Sequence, residues 1–223
     1  MKFIVTAGPT REYLDPVRFL SNPSTGRMGF AVARAAARAG HKVTLVAGPV
    51  VLKTPKGVDR VDIVSARDLL AAVKAALLAA ATGTDPVALV MTAAVADWRP
   101  AVCADAKMKK SEMDGTLKLV RNPDVLKTLN GALKKGEICL RRLVRVGFAA
   151  ETGAPAAEAA RKCREKGLDL VVGNNVMEKG CGFGTTTNRV TLVFPDGRIE
   201  PLPLLSKDAV ARRLVAFCEK AGA

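Results

Sequence analysis

The sequence predicts an α/β protein, a mostly parallel, doubly wound sheet in a single domain over residues 1–223, with a hairpin appendage near the C-terminus. Three observations predict it. Strand-length apolar runs alternate with helix-length segments, and strands separated by helices pair in parallel through right-handed crossovers. The runs 2–7 and 86–91 lack polar alternation, as strands covered on both faces do. No repeat or low-complexity linker divides the chain, and a domain of this length buries roughly 70% of its extended surface.

The first strand, 2–7, is broken by Gly8-Pro9-Thr10, and a polar segment containing Pro16 follows. Ser24-Thr25-Gly26 introduces an Ala-rich helix over residues 26–39, which Gly40 is placed to end. Residues 42–47 read as the second strand and 61–64 as the third, and Ser65-Ala66-Arg67-Asp68 caps a helix running to residue 81. After the fourth strand, 86–91, comes a basic stretch. Asn122-Pro123-Asp124 opens the next helix, with Pro123 suited to the first helical position, where no N–H is needed. A strand over 143–148, a helix over 154–166 and a strand over 168–172 follow. Residues 190–194 and 198–201 flank the turn Pro195-Asp196-Gly197, and Ser206-Lys207-Asp208 opens the last helix. Val190, Leu192 and Phe194 alternate along the hairpin, an apolar face too small to be stable alone, so it is expected to pack against a partner subunit, with docking on its own sheet as the alternative.

Composition narrows the function. At 49% apolar residues the chain is far from the depleted composition of disordered segments. No window holds 18 consecutive apolar residues, and the run before Gly8-Pro9 is too short for a signal peptide; a cytoplasmic protein without a membrane partner is expected. The five cysteines are widely spaced with no C-x-x-C pair, and the single histidine, His41, follows Ala39-Gly40 in an expected surface turn. Neither a zinc site nor a Ser-His-Asp triad has enough material.

The 35 Lys/Arg against 21 Asp/Glu give a net charge of +14, which favours an anionic partner. From Arg99 to Arg145, 12 basic residues stand against 5 acidic ones, so half of the excess is local. Nucleic-acid patches interleave aromatics, but the chain holds one Trp, one Tyr and seven Phe and no zinc-finger or RNA-recognition pattern. Phosphorylated small molecules are expected instead of nucleic acid.

Ligands of an open α/β sheet sit at the carboxyl ends of its strands, so segments 8–29, 92–110 and 149–152 should converge. A nicotinamide-dependent oxidoreductase is disfavoured. Ala7-Gly8-Pro9-Thr10-Arg11-Glu12 is not G-x-G-x-x-G, Val46-Ala47-Gly48 offers no acid for a ribose diol, and Tyr13 has Val17 four residues on instead of Lys. Asn22-Pro23-Ser24-Thr25-Gly26-Arg27-Met28-Gly29 runs into a helix, where backbone N–H groups and small hydroxyls hold anions; an ordinary Ser cap is the alternative. Asp97 can meet a ribose hydroxyl or a metal ion, or pair with Arg99. Lys107-Met108-Lys109-Lys110 offers point charges for a polyphosphate, or a solvated face.

Taken together, Ala7-Gly8-Pro9-Thr10-Arg11-Glu12, Leu14-Asp15-Pro16-Val17-Arg18-Phe19-Leu20-Ser21-Asn22, Gly26-Arg27-Met28-Gly29, Ala93-Ala94-Val95-Ala96-Asp97, the Lys107 run, Asn122-Pro123-Asp124 and Gly147-Phe148-Ala149-Ala150-Glu151-Thr152 closely resemble phosphopantothenoylcysteine synthetase. That family is the phosphopantothenate–cysteine ligase of coenzyme A biosynthesis, and the resemblance covers nearly the whole chain. It implies a Rossmann-like homodimer that joins 4′-phosphopantothenate to L-cysteine, using CTP with Mg²⁺. An acyl-cytidylate forms with loss of pyrophosphate, and the cysteine amine then displaces CMP. Met1 begins directly at the first strand and these residues hold no flavin-dependent decarboxylase sequence, so a free-standing ligase, or an excised piece of one, is expected, with a possible separate decarboxylase as partner.

By motif, the resemblance gives Asn22 and Lys107 catalytic roles, with Arg18 on the same substrate side. It places nucleotide contacts on Met91, Thr92, Ala93, Asp97, Lys107, Asn122, Pro123, Asp124, Val125 and Phe148, and on Lys162 and Lys166, which are four apart on one helix face. Phosphate contacts fall on Ser24, Thr25, Gly26 and Arg27; no metal ligand is assigned. Two departures stand out. The family usually reads Ser-Ser-Gly-Lys-Met-Gly where this chain has Ser24-Thr25-Gly26-Arg27-Met28-Gly29, which keeps the charge but adds forked geometry. Pro23 replaces the usual Arg or His, removing a donor and fixing φ. Eukaryotic relatives use ATP and also carry Arg at the Arg27 position, whereas the Lys107 run has the bacterial form, which points to CTP. A non-catalytic nucleotide- or flavin-binding subunit, an NAD(P)-dependent oxidoreductase and a basic nucleic-acid-binding module are the alternatives.

Overall fold

The computed structural model describes residues 1–109, 115–153 and 155–223; Lys110 of the lysine run and Ala154, the expected start of a helix, lie outside the described residues. The chain runs β1 (Lys2–Ala7), β2 (Arg11–Tyr13), β3 (Phe19–Ser21), α1 (Arg27–Arg38), β4 (Lys42–Ala47) and β5 (Val58–Asp62). Next come α2 (Ala66–Ala81), β6 (Val87–Met91), β7 (Trp98–Pro100), β8 (Leu119–Arg121) and α3 (Val125–Lys134). The last third holds β9 (Leu143–Glu151), α4 (Pro155–Glu165), β10 (Leu170–Asn175), β11 (Thr187–Asn188), β12 (Val190–Val193), β13 (Ile199–Pro201), β14 (Leu205–Ser206) and α5 (Lys207–Gly222).

Eight strands form the main sheet in the order β13-β12-β10-β9-β6-β1-β4-β5. From β5 to β10 every pairing is parallel, and β12 and β13 extend the sheet antiparallel. Central β1 registers Val5 with Leu45 on one side and Val90 on the other. The chain winds outward in opposite directions from β1 and β6, so a crevice is expected beyond their carboxyl ends.

Apolar side chains alternate between two helical layers. Phe3, Val5, Val32, Leu45, Val90 and Leu214 bury under α1 and α5, while Ile4, Val46, Leu69, Leu89 and Leu129 bury under α2 and α3. A smaller cluster of Ala149, Val171 and Val193 sits beneath α4 with Ala159 and Cys163. Among the described residues no helix is long and apolar enough to cross a membrane.

The expected cap of α2 is present: Ser65 Oγ accepts from the Asp68 amide at 3.2 Å, and Asp68 Oδ2 accepts from the Ser65 amide at 2.8 Å. Three expectations need correction. The third strand is Val58–Asp62 rather than 61–64; it is an edge strand with mostly exposed side chains and no apolar run to mark it. Pro123 lies one residue before the cap of α3, because Asp124 supplies the capping carboxylate to the Lys127 amide at 3.1 Å. The hairpin's apolar face does not need a partner subunit. Because β12 pairs with β10, Val190, Leu192 and Phe194 enter this chain's own core beside α5, at 1%, 6% and 7% exposure. The hairpin is continuous with the main sheet instead of appended to it.

Candidate functional site

A cleft of about 710 Å³ opens at the carboxyl ends of β6 and β9. The turn after β6 forms one wall and is fastened to β1 and the segment after it. Buried Thr6 Oγ1 accepts from the Thr92 and Ala93 amides, each at 3.1 Å, and Thr92 Oγ1 donates to the Thr6 carbonyl at 2.6 Å. Thr10 Oγ1 then accepts from the Ala96 amide at 3.0 Å. Asn22 Nδ2 donates to the Ala94 carbonyl at 3.1 Å, which brings the Asn22 side chain into the cleft. Much of the Ala7-to-Glu12 block is therefore scaffold: Glu12, 3% exposed, accepts from the Ala66 amide at 2.9 Å and so steadies the start of α2.

Asp97, Asn122, Pro123, Asp124, Val125, Phe148, Met91 and Ala93 line this cleft, as do Lys162 and Lys166. Asn122 Nδ2 donates to the Ala96 carbonyl at 2.8 Å, joining the start of α3 to the turn after β6. Lys162 Nζ reaches Glu151 at 3.0 Å and Lys166 Nζ reaches Asp124 at 3.0 Å. Burial alone would raise the Asp124 carboxyl, but the Lys127 amide and the Lys166 ammonium hold it below its ordinary value. Arg161 turns away from the cleft to Glu158 and Glu165, so α4 divides its cations between a cleft face and an outer face.

A second concavity, of about 100 Å³, shares Ala93, Ala94, Phe148, Ala150 and Phe183 with the first and reaches the N-terminus of α1. Ser24, Thr25, Gly26, Arg27 and Thr92 line it. Gly26 takes the cap position at φ 76°, with no side chain bonding the helix amides and no acid in the first turn. The Ser cap considered from sequence is absent. These uncapped N–H groups and the helix dipole favour an anion. Gly29 allows the approach of helix to strand: a Cβ there would lie 2.5 Å from Ala7 Cβ and 2.7 Å from the Thr6 carbonyl oxygen.

Arg18 and Lys107 line neither concavity. Lys107 is exposed, on a segment tied to Arg18 and Asp15 through Met108. His41 stacks on Phe3 with centroids 5.0 Å apart and bonds Glu219 at 2.8 Å, half-buried at the opposite end of the sheet. Sequence reasoning missed Trp98 with Arg121, whose guanidinium lies 5.3 Å from the indole ring, and Phe183, Asn174, Asn188 and Lys207. The glycine spacing of Gly180-Cys181-Gly182-Phe183-Gly184 was the available signal for the latter group.

Residues 1–221 match the family described as the DNA/pantothenate metabolism flavoprotein C-terminal domain. The coenzyme A biosynthesis bifunctional protein CoaBC of Bacillus subtilis (strain 168) is 46% identical over 205 residues, covering 92% of this chain and 47% of that protein. The protein of the same name from Vibrio parahaemolyticus serotype O3:K6 is 42% identical over 214 residues, covering 95% of this chain and 50% of that protein. The chain spans about half the length of the curated relatives it matches. A crystal structure of the C-terminal domain of a coenzyme A biosynthesis bifunctional protein CoaBC superposes with a TM-score of 0.77 at 37% identity, covering 98% of this chain and 94% of that one.

Proposed function

Because the chain belongs to the DNA/pantothenate metabolism flavoprotein C-terminal domain family, we propose that it is a phosphopantothenate–cysteine ligase of coenzyme A biosynthesis. It joins 4′-phosphopantothenate to L-cysteine while CTP is converted to CMP and pyrophosphate. One observation carries the reading: a single cleft gathers Asp97, residues 122–125, Phe148, Lys162 and Lys166, and it opens onto the uncapped N-terminus of α1.

In the first step a carboxylate oxygen of phosphopantothenate attacks the α-phosphorus of CTP, and pyrophosphate leaves. In the second the cysteine nitrogen attacks the acyl carbon, CMP leaves, and an amide remains. Charge builds on the leaving pyrophosphate, where fixed ammonium groups and helix N–H donors stabilise the transition state more than the ground state. No protein nucleophile is required. Cys163 and Cys218 suit none, since burial raises the Cys163 thiol and pushes Cys218 up to about 12.

Mg²⁺ belongs to the reading as an ion carried on the nucleotide phosphates. Among the described residues no group of three or more His, Cys, Asp or Glu could hold a metal. Mg²⁺ commonly takes one or two carboxylates plus substrate phosphates, and Asp97, exposed in the cleft, fits that donor set. When bound, the ion would supply charge neutralisation at the phosphates. A second copy of this chain is also part of the reading: Val17, Phe19, Trp98 and Leu119 leave apolar surface exposed on two small adjoining strand pairs, β2–β3 and β7–β8. A decarboxylase would take the product.

The test is pyrophosphate release on mixing the chain with CTP, 4′-phosphopantothenate and cysteine. Turnover that needs all three is expected, with a specificity constant for CTP well above that for ATP. No pyrophosphate overturns the ligase in favour of a binding subunit, and equal or better use of ATP overturns the nucleotide assignment alone.

A further inference from the structure

Lys207, the first residue of α5, is 7% exposed, and the neighbouring carboxylate, Asp208, pairs with Arg34. Its Nζ donates to the Gly182 carbonyl at 2.9 Å, the Thr185 carbonyl at 2.8 Å and Thr185 Oγ1 at 3.3 Å. Those three acceptors use all three protons of an ammonium. A buried charge is expensive to keep, and an aliphatic side chain would fill the position at lower cost, so the bonds themselves are the notable feature.

What they hold is a glycine-rich turn, which the Cys181 amide on the Glu178 carbonyl at 3.0 Å and Thr185 Oγ1 on the Gly182 carbonyl at 3.2 Å also help to define. Gly180, Gly182 and Gly184 all lie in the left-handed region, at φ 82°, 81° and 78°. Their neighbours add Thr187 Oγ1 to the Gly180 carbonyl at 2.6 Å and Thr185 Oγ1 to the Thr187 carbonyl at 2.8 Å. Phe183 sits within this turn and lines both concavities, while Gly182, Asn188 and Lys207 face the second one across from Ser24, Thr25 and Gly26. Asn188, 4% exposed, has its Oδ1 buried without a hydrogen-bond partner among the described residues.

Resting on the ligase reading, we propose that Lys207 is a positioning residue: it clamps the turn 180–184 as the wall that, with the N-terminus of α1, receives a substrate phosphate. The electrostatics agree. Burial first, and then the charge of Arg27, push the Lys207 ammonium down to about 8, so two cations share this concavity and an anion between them relieves their repulsion. Both substrates carry phosphate, and kinetics will distinguish which one the wall serves.

The experiment compares the parent with Lys207→Met. Hydrogen exchange at amides 182–187 should speed up about tenfold or more, with β1 and β6 protection unchanged. The KM of one phosphorylated substrate should rise about tenfold, with kcat and the other KM within about threefold. Unchanged exchange, or a fall in kcat alone, overturns the proposal. Should Lys207→Met fail to fold, Thr185→Val removes one acceptor in a near-isosteric side chain, and the same readouts, smaller in size, decide. If the parent shows no ligase turnover, the ligase reading fails by itself; exchange together with inorganic pyrophosphate affinity, weakened in Lys207→Met or not, then decides the clamp.

Discussion

The Arg18 guanidinium holds Met108: its Nη2 donates to the Met108 carbonyl at 2.8 Å while also reaching Asp15 Oδ2 at 2.6 Å. Asp15, 0% exposed, accepts from the Val17 and Arg18 amides at 2.8 Å each and from the Met108 amide at 3.2 Å. Two segments 90 residues apart in sequence therefore share one carboxylate. Lys107 is the neighbour of the residue so held, which links the two basic residues singled out from sequence. In this structure Arg18 supports the segment that carries Lys107.

Asp15→Asn should disturb that support. The Arg18 guanidinium, first, and then the backbone amides hold the Asp15 carboxyl well below the usual carboxylate range, against its burial. A carboxyl with a lowered folded pKa contributes stability that is full above its unfolded value of about 3.9 and is lost as pH falls. The parent's melting temperature should thus fall with acid more steeply than that of the variant, and the variant should already melt lower at neutral pH. Misplacing a group by about 1 Å can cost on the order of 10²-fold in rate, so ligase activity should drop by up to that much. Parental melting and turnover in Asp15→Asn would remove the support role.

Neighbouring cations on one helix give an internal control. Lys162 lines the cleft, whereas Arg161 is paired on the outer face with Glu158 and Glu165. Lys162→Ala should raise the nucleotide KM about tenfold, the usual scale for one charged contact. Arg161→Ala should leave it within about twofold, because exposed pairs contribute little. Equal effects of the two substitutions on KM would remove Lys162 from the nucleotide site.

Leu192 tests the corrected hairpin. At 6% exposure within the core cluster, Leu192→Ala should cost about 2–5 kcal/mol of stability through lost burial and a cavity. The loss should not depend on protein concentration, since the contacts lie inside one chain. A Tm shift that vanishes at high concentration would return the hairpin to an intersubunit contact.

How much of this was legible follows from where each signal resides. Parallel strands buried on both faces announce themselves by composition, so β1, β4 and β6 read directly from sequence. The polar edge strand β5 and the three-residue strands β2, β3, β7 and β8 carry too few residues for any period to show. Asp97 was legible from its place after a buried strand, whereas Lys162 came only through the family resemblance, because a polar helix face by itself reads as solvated. Lys207 was not: its partners are backbone carbonyls of Gly182 and Thr185, which any residue would supply. Asp15 and Met108 meet through the chain's path, which spacing cannot report.

Titration offers a second view of Lys207. Its folded pKa, about 8, lies below the unfolded value of about 10.4. Between those values the unfolded chain binds more protons, so this group makes stability rise with pH across the window. Subtracting the stability curve of Lys207→Met from that of the parent isolates the contribution. The difference should climb from about pH 8 to about pH 10.5 and then level. A flat difference across that window would mean an ordinary, solvated ammonium.

Lys107 remains the sharpest test of the chemistry, because its structural setting is so plain. It is exposed, on a segment anchored at Met108, and lines neither concavity. A side chain so placed contributes little to folding, so Lys107→Gln should melt as the parent does. If its ammonium meets the nucleotide phosphates during reaction, removing the charge deletes one electrostatic contact to the developing pyrophosphate. Such a deletion typically costs about 10²–10³ in rate. The loss should appear in the first half-reaction, with CTP and 4′-phosphopantothenate present and cysteine absent, since the charge acts on the leaving group and not on the amine. A solvated charge would instead leave the rate within about twofold. Near-parental single-turnover pyrophosphate release by folded Lys107→Gln would show that the lysine takes no part in activating the acid.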